Sequence, residues 1–367
     1  MSDKRKLGLW SGLAILLIGL TWIAGRWAGI PVVAQPSGLP PPVDDWAQTA
    51  HTVTLPLVTN RYWIARDLIA FERQLDNGNH DIFLMRDDGS AVRNLTDTAD
   101  ADDGAPAWSP DGRFLAFSSD RVGGERRAIF KMDLITGEIT RLTGGEHRDR
   151  WPTWSPAGDR IAFMREIPTG LSNPLFYPAD IYVMDADGSN VRQLTDATYG
   201  DNFPAWSPDG EWIAYSATVF YDGQSRARPD LWLVRPDGSD KHVILRTDPP
   251  QPPDGHDKDR RDEIYPTWSP DGQWIYHTFK YRDYPADAAE WLYRIRPDGT
   301  ERQRVFDDEY NRYIASFAPD GTCFVFYSYM GQGDKDVWRW CDGDTQPLNL
   351  TDNDGISDEF CAWSPVP

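Results

Sequence analysis

FPAWSPDGEWIAYSA, residues 203–217, places two short apolar runs on either side of Ser207-Pro-Asp-Gly210. Proline presets its own φ, aspartate tolerates the bridge region and glycine accepts positive φ without a Cβ clash. The tetrapeptide therefore reads as a type I turn closed by a left-handed glycine, and the runs it joins fold back as a hairpin. The same motif stands at Trp108-Ser-Pro-Asp-Gly112, Trp154-Ser-Pro-Ala-Gly158, Trp268-Ser-Pro-Asp-Gly272, Phe317-Ala-Pro-Asp-Gly321 and Trp363-Ser-Pro365. Intervals of 46, 52, 62, 49 and 46 residues separate the motif aromatics, each long enough for four short strands with their turns.

The third full unit shows the parse. FPAWS (Phe203–Ser207) reads as strand a, WIAYSA (Trp212–Ala217) as strand b, DLWLVR (Asp230–Arg235) as strand c and HVILRT (His242–Thr247) as strand d. Turns of the same chemistry link strands c and d at Arg86-Asp-Asp-Gly89, Asp185-Ala-Asp-Gly188, Arg235-Pro-Asp-Gly238 and Arg296-Pro-Asp-Gly299. Strands b and c carry little charge, as expected of sheets covered on both faces, and small sheets achieve that by packing radially on one another. The ends support closure. LIAFER (Leu68–Arg73), DIFLMR (Asp81–Arg86) and VRNLT (Val92–Thr96) supply strands b, c and d of a first blade that has no motif before it, while FCAWSP at Phe360–Pro365 is a strand a with nothing after it. The expected fold is an all-β, six-bladed β-propeller of four-stranded antiparallel blades, its first blade closed by the C-terminal strand.

From about Ile64 onward, the pattern of Leu-Thr, then Pro-x-Trp-Ser-Pro-Asp-Gly-x-x-Ile-Ala-Phe, then Asp-Ile-Tyr-x-Met-Asp-x-Asp-Gly, resembles the TolB-like propeller repeats, a WD40-like group. The resemblance implies the scaffold. The family's namesake carries an α/β domain ahead of its propeller and works beside the lipoprotein Pal; only a short linker is read here, so that task is not implied. Related propellers precede prolyl-oligopeptidase-type domains, but no G-x-S-x-G is present.

Lys4-Arg5-Lys6 precede an apolar run, Leu7–Ala24, about as long as a bilayer crossing requires. Residues 1–34 thus read as a signal anchor or a signal peptide cleaved after Ala34, residues 35–60 as a Pro-rich linker and residues 61–367 as the propeller. Either alternative places the ring outside the cytoplasm, periplasmic or at the cell surface. The net charge is -20, and -23 beyond the first 35 residues, which makes nucleic acid a poor partner. Three cysteines are too few for a disulfide scaffold. Cys323 and Cys341 face each other if their hairpin pivots about Gln332, as a disulfide or as two buried thiols, which leaves Cys361 on the closing strand.

The a-to-b and c-to-d turns share one face. The b-to-c and d-to-a loops share the other, and there the insertions Glu166–Ala179, Tyr221–Pro229 and Thr247–Glu263 fall, the pattern of a binding rim. Five residues before each motif aromatic stand Asp103, Asp149, Asp201, Glu263, Arg312 and Asp358. Placed at equal radius they form a crown of acids that attracts a cation, either a divalent ion such as Ca²⁺ or a basic group of a partner; the alternative is that each carboxylate caps its own loop. Asp185–Asn190 reads as a hairpin turn, and Asp352–Glu359 as an acidic loop with a slighter claim on an ion. The expected function is a non-catalytic scaffold, without a required cofactor, that binds a protein, peptide or cationic ligand at the loop face. The alternative is a metal-assisted lyase or hydrolase of polysaccharide using His147 and His256, with His277 on a strand b.

Overall fold

In the second, fourth and fifth blades the Ser-Pro-Asp-Gly turn is wired by its own side chains. At Ser109 the Gly112 N–H donates to the Ser109 carbonyl at 2.8 Å, and Ser109 Oγ donates to Asp111 at 2.6 Å while accepting the Phe114 N–H at 2.8 Å. Gly112 has φ +67°, the left-handed conformation that its lack of a Cβ permits. Where alanine replaces the turn aspartate, Ser155 Oγ reaches Asp159 instead, at 2.7 Å. The Leu-Thr of the repeat is equally local in cause: Thr96, Thr143, Thr195 and Thr351 accept the strand-c N–H groups of Ile82, Ile129, Ile181 and Val337 at 2.9–3.0 Å.

The computed structural model describes residues 67–365, except 122, 124–125, 168–177, 197–199, 220–227, 247–260, 282–288, 309, 331–332 and 353–354. The N-terminal segment and linker, and most of the three long insertions, lie outside the described residues. All described elements are strands, in six four-stranded antiparallel sheets, and no described helix is long and apolar enough to cross a membrane. The first sheet joins Leu68–Gln74, His80–Arg86 and Arg93–Asn94 to the C-terminal strand Asp358–Trp363, with Ile69 opposite Trp363 and Ala70 opposite Ala362. Closure by the chain's last strand, expected from the repeat count, is what is found.

The described core divides into six clusters, one per interface between neighbouring sheets. Between the first and second blades, for example, Ile82 and Leu84 meet Leu115, Phe117 and Phe130. The motif tryptophans lock adjacent blades: Trp108, Trp154 and Trp268 donate their indole N–H to the carbonyls of Ala362, Ala107 and Ala205 on the preceding blades, at 3.0–3.2 Å. Cys323 and Cys341 are directly opposite on strands b and c of the sixth blade and form a disulfide, with Cα atoms 4.0 Å apart; Cys361 is free and buried.

Candidate functional site

Strand a is the innermost strand, and in every blade it carries an irregularity. In the second blade Gly104 pairs with Ser118 and Ala107 with Ala116, so Ala105 and Pro106 oppose one residue; the same bulge recurs in the first, third, fourth and fifth blades, while in the sixth the shift falls between Ile314 and Ser316. Its first residue has positive φ without being glycine: Ala105 53°, Trp151 49°, Phe203 56°, Tyr265 55° and Phe360 43°. For a bulky side chain that is a costly conformation, held here by the surrounding ladder. The consequence is a set of aromatic rings on the ring axis. Trp151 and Phe203 are 4.3 Å apart by centroid, Phe203 and Tyr265 4.2 Å, and Tyr265 reaches Phe360, two blades away, at 6.0 Å. Tyr313 and Tyr327 extend the layer, stacked at 4.6 Å, and the Tyr265 and Tyr327 hydroxyls are hydrogen-bonded.

This aromatic layer separates two environments. Toward the turn face lies an axial cavity of about 590 Å³, walled by the Pro-x-Trp segments and the turn prolines, such as Pro156 and Pro208; it has no charged lining residue. Toward the loop face the mouth is charged. Glu72, at the end of a strand b, crosses to the next blade, where its Oε2 accepts the Ala105 N–H at 3.1 Å and occupies the space a Cβ on Gly104 would fill. Burial lifts the Glu72 carboxyl to about 7, with Glu359 adding to the effect and His80 and the Ala105 N–H opposing it. His80 Nδ1 stands 3.9 Å from Glu72 and 2.9 Å from Asp102, and Asp102 is also paired with Arg127. The bond to Asp102 raises the His80 pKa. On the adjoining strand Glu359, directly opposite Glu72 in the same sheet, is held by Lys335 at 2.7 Å, and the ammonium lies 5.4–5.8 Å from the rings of Tyr313, Tyr327 and Tyr329.

The six residues expected as a crown occupy equivalent positions near the start of strand a, but each is buried and engaged within the ring wall. Asp149 and Asp358 make two-pronged pairs with Arg165 and Arg73 at 2.7–2.8 Å. Asp103 meets Arg121 at 2.8 Å and Thr98 at 3.1 Å. Glu263 lies 2.8 Å from Arg302 and 2.7 Å from the fully buried His277, and Arg312 pairs with Asp308 at 2.6 Å. Burial pushes the Asp201 carboxyl up to about 7, against a hydrogen bond from Thr195. None of the six lines the axial cavity. Most of the partners are side chains on other strands, such as Arg165, sixteen residues from Asp149, and Arg73, 285 residues from Asp358, and not the backbone N–H groups of the residue's own loop. An ion or ligand would reach the paired residues only by opening these pairs.

The weaker candidates separate as follows. Asp185–Asn190 is a hairpin turn, Asp187 accepting the Ser189 N–H at 2.9 Å. Of the acidic loop, Gly355 and Ile356 donate their N–H groups to Asp334 at 2.7 and 3.1 Å. His147 has a buried Nδ1 without a hydrogen bond, and His256 lies outside the described residues. Among the described residues no three His, Cys, Asp or Glu side chains converge as a metal site.

Residues 68–248 match the PD40 family, the TolB beta propeller domain. The ring is a TolB-like β-propeller domain. An uncharacterized protein of Agrobacterium fabrum, Atu1656, is 34% identical over 138 residues, covering 37% of this chain and 46% of its own, so the matched stretch spans less than half of that relative. TolB of Acinetobacter baumannii superposes with a TM-score of 0.61 at 17% identity, over 81% of this chain and 66% of its own. An oligogalacturonate lyase in complex with manganese gives 0.52 at 13% identity, over 77% and 73%. At such identities the likeness establishes the fold alone. The six buried residues stand five before each motif aromatic, whereas Trp151, Phe203, Tyr265 and Phe360, which meet at the axis, stand three before it. The signal was in the sequence, in Trp151-Pro152, Phe203-Pro204 and Tyr265-Pro266, but a residue before proline normally reads as extended backbone facing no particular way.

Proposed function

We propose that this TolB-like ring is an extracytoplasmic, non-catalytic scaffold that binds a protein or peptide partner at the channel mouth on its loop face. The observation that carries this reading is the floor of axial rings, Trp151, Phe203, Tyr265 and Phe360, surrounded by the charged side chains Glu72, Lys335, Glu359 and Arg150. A rigid apolar floor with a polar rim is the arrangement that anchors an inserted side chain, and rings already held by the β-ladder lose little entropy on binding. The six buried residues of strand a contribute by fixing that floor. The N-terminal apolar segment, as anchor or signal, accounts for an extracytoplasmic setting.

The test is selection of binders from a peptide library on the intact chain, repeated with Phe203→Ala and Tyr265→Ala after both variants are shown to unfold cooperatively. Peptides whose binding weakens about tenfold or more in these variants support the reading. Peptides indifferent to both substitutions overturn it, as does cleavage of a polyuronate by the purified chain that depends on His147 or His256.

A further inference from the structure

The charged residue five before the motif aromatic meets a charge of opposite sign in every blade but one. Asp149 pairs with Arg165, Asp358 with Arg73, Asp103 with Arg121, Glu263 with Arg302 and Arg312 with Asp308. In the fourth blade Asp201 forms no ion pair with a cation among the described residues. Two differences between the repeats account for this. Arg165 stands directly opposite Asp149, whereas the residue directly opposite Asp201 is Ala217. Arg302, three residues after the c-to-d glycine of the fifth blade, reaches Glu263; Lys241, three after the corresponding glycine of the fourth, is paired with Asp196 instead.

The Asp201 carboxyl is nonetheless enclosed, with the residue only 4% exposed. From the third blade it is faced by Asp180, at the start of a strand c, and by Thr195 and Asp196, which follow a strand d; from its own blade it is faced by Tyr215 on strand b and by Lys241. Burial pushes the Tyr215 hydroxyl up, so it stays neutral. Ionised, Asp201 would thus stand beside two further acids, with the one cation already engaged by Asp196. A buried carboxylate in that position is costly, and keeping its proton removes the cost. Burial lifts the Asp201 carboxyl to about 7 against the Thr195 hydrogen bond, with Asp180 and Asp196 adding to the rise and Lys241 opposing it.

The place of this proton gives it leverage. Asp201 and Asn202 pair with Ala217 and Ser216, and the ladder slips immediately afterwards, where Phe203 takes φ +56° and lies against Trp151 and Tyr265 on the axis. On this side the strained residue is held by those two ladder pairs and by the Thr218 N–H, which donates to the Gly200 carbonyl at 2.8 Å.

We propose that Asp201 is a proton-dependent latch: protonated, it seals the start of this strand against Thr195 of the third blade; ionised, it repels Asp180 and Asp196, loosens that end of the interface and frees the backbone that holds Phe203 on the axis. The latch goes beyond the binding role and stands whether or not a peptide is the ligand. A carboxyl whose pKa is raised by folding favours the closed form fully below its ordinary value of 3.8, and loses that contribution as the pH climbs through about 7. The latch is therefore shut in mildly acid solution and opens on the alkaline side.

The experiment follows amide hydrogen exchange of the full chain by mass spectrometry at pH 6 and pH 8.5, with rates corrected for the intrinsic effect of pH on exchange. Protection of residues 201–206 is expected to fall at least about tenfold over that range, while the equivalent segment 149–154, whose acid is paired with Arg165, changes less than about twofold. Asp201→Asn, which cannot ionise, is expected to keep the protection of residues 201–206 constant. Ala217→Arg, which sets a guanidinium opposite Asp201 as Arg165 is set opposite Asp149, is expected to do the same and decides the matter if the asparagine variant does not fold. An equal fall in the parent and in the folded variant assigns the proton to another group and overturns the latch. Unchanged protection of residues 201–206 in the parent also overturns it, as does a fall of the same size in all six strands a, which reports a general loosening of the ring.

Discussion

Glu72 shows how one side chain is set by its neighbours' backbone. Its carboxylate reaches the Ala105 N–H because residue 104 has no side chain; a Cβ there would stand 2.2 Å from Glu72 Oε2. The groups facing it are His80, Asp102, Arg127 and Glu359, together with that N–H, and burial outweighs them to place its pKa near 7 against an ordinary 4.5. A carboxyl whose folded pKa is raised favours folding fully at a pH below the unfolded value and loses that contribution as the pH climbs through the folded one. Stability from Glu72 therefore declines between about pH 4.5 and 7, by at most about 3 kcal/mol. Glu72→Gln is expected to flatten that decline, so the variant gains on the parent as pH rises, measured by urea unfolding at pH 5 and pH 8. An equal difference at both values would mean that Glu72 does not carry the proton. Gly104→Ala, which turns out only the far end of a flexible side chain, is expected to flatten the same profile while leaving the fold intact.

The strand-a bulge is the element on which the axial floor depends, and it was the part least visible in the sequence. Turn chemistry is local, so Ser-Pro-Asp-Gly could be read residue by residue, and the alternation of strands b and c needed only their composition. Whether Asp149 points to the axis or into the wall depends on Arg165, sixteen residues on, and on which faces of two strands meet. Whether Phe203 points to the axis depends on a positive φ that aromatic residues before proline rarely adopt. That strain gives a paired prediction. Phe203→Ala and Phe203→Gly delete the same ring, but only glycine relieves the backbone, so the glycine variant is expected to be the more stable by about 1 kcal/mol in urea unfolding. The reverse order would show that residue 203 is not left-handed in the folded ring. The Cys323–Cys341 bridge is a second device of this scale. It closes a hairpin with a sequence separation of 18, and reduction is expected to lower stability by about 3 kcal/mol in the chain-entropy account, checked by unfolding with and without reductant.

Across the whole molecule the six blades form a closed cycle of interfaces, each burying its own cluster, and the cycle holds only while the first sheet keeps its innermost strand from the other end of the chain. That strand contributes more than one sheet's pairing. Trp363 and Cys361 sit in the cluster between the sixth and first blades, Ala362 accepts the indole N–H of Trp108 on the second, and Phe360 contacts Tyr265 across the axis. Ending the chain at Glu359 removes all four residues, exposing the edge of strand Leu68–Gln74 and opening the cycle at two interfaces at once. The truncated chain is expected to unfold at a clearly lower urea concentration than the intact one. A synthetic peptide of residues 356–367, added in trans, is expected to restore part of the loss in a concentration-dependent way, because a ligand that binds only the folded ring stabilises it by mass action. Loss of stability without rescue would place the effect in general damage to the core. An unchanged midpoint would mean that the ring does not depend on its clasp, and the axial floor, one of whose rings comes from this strand, would then lack the rigid frame on which its binding role depends.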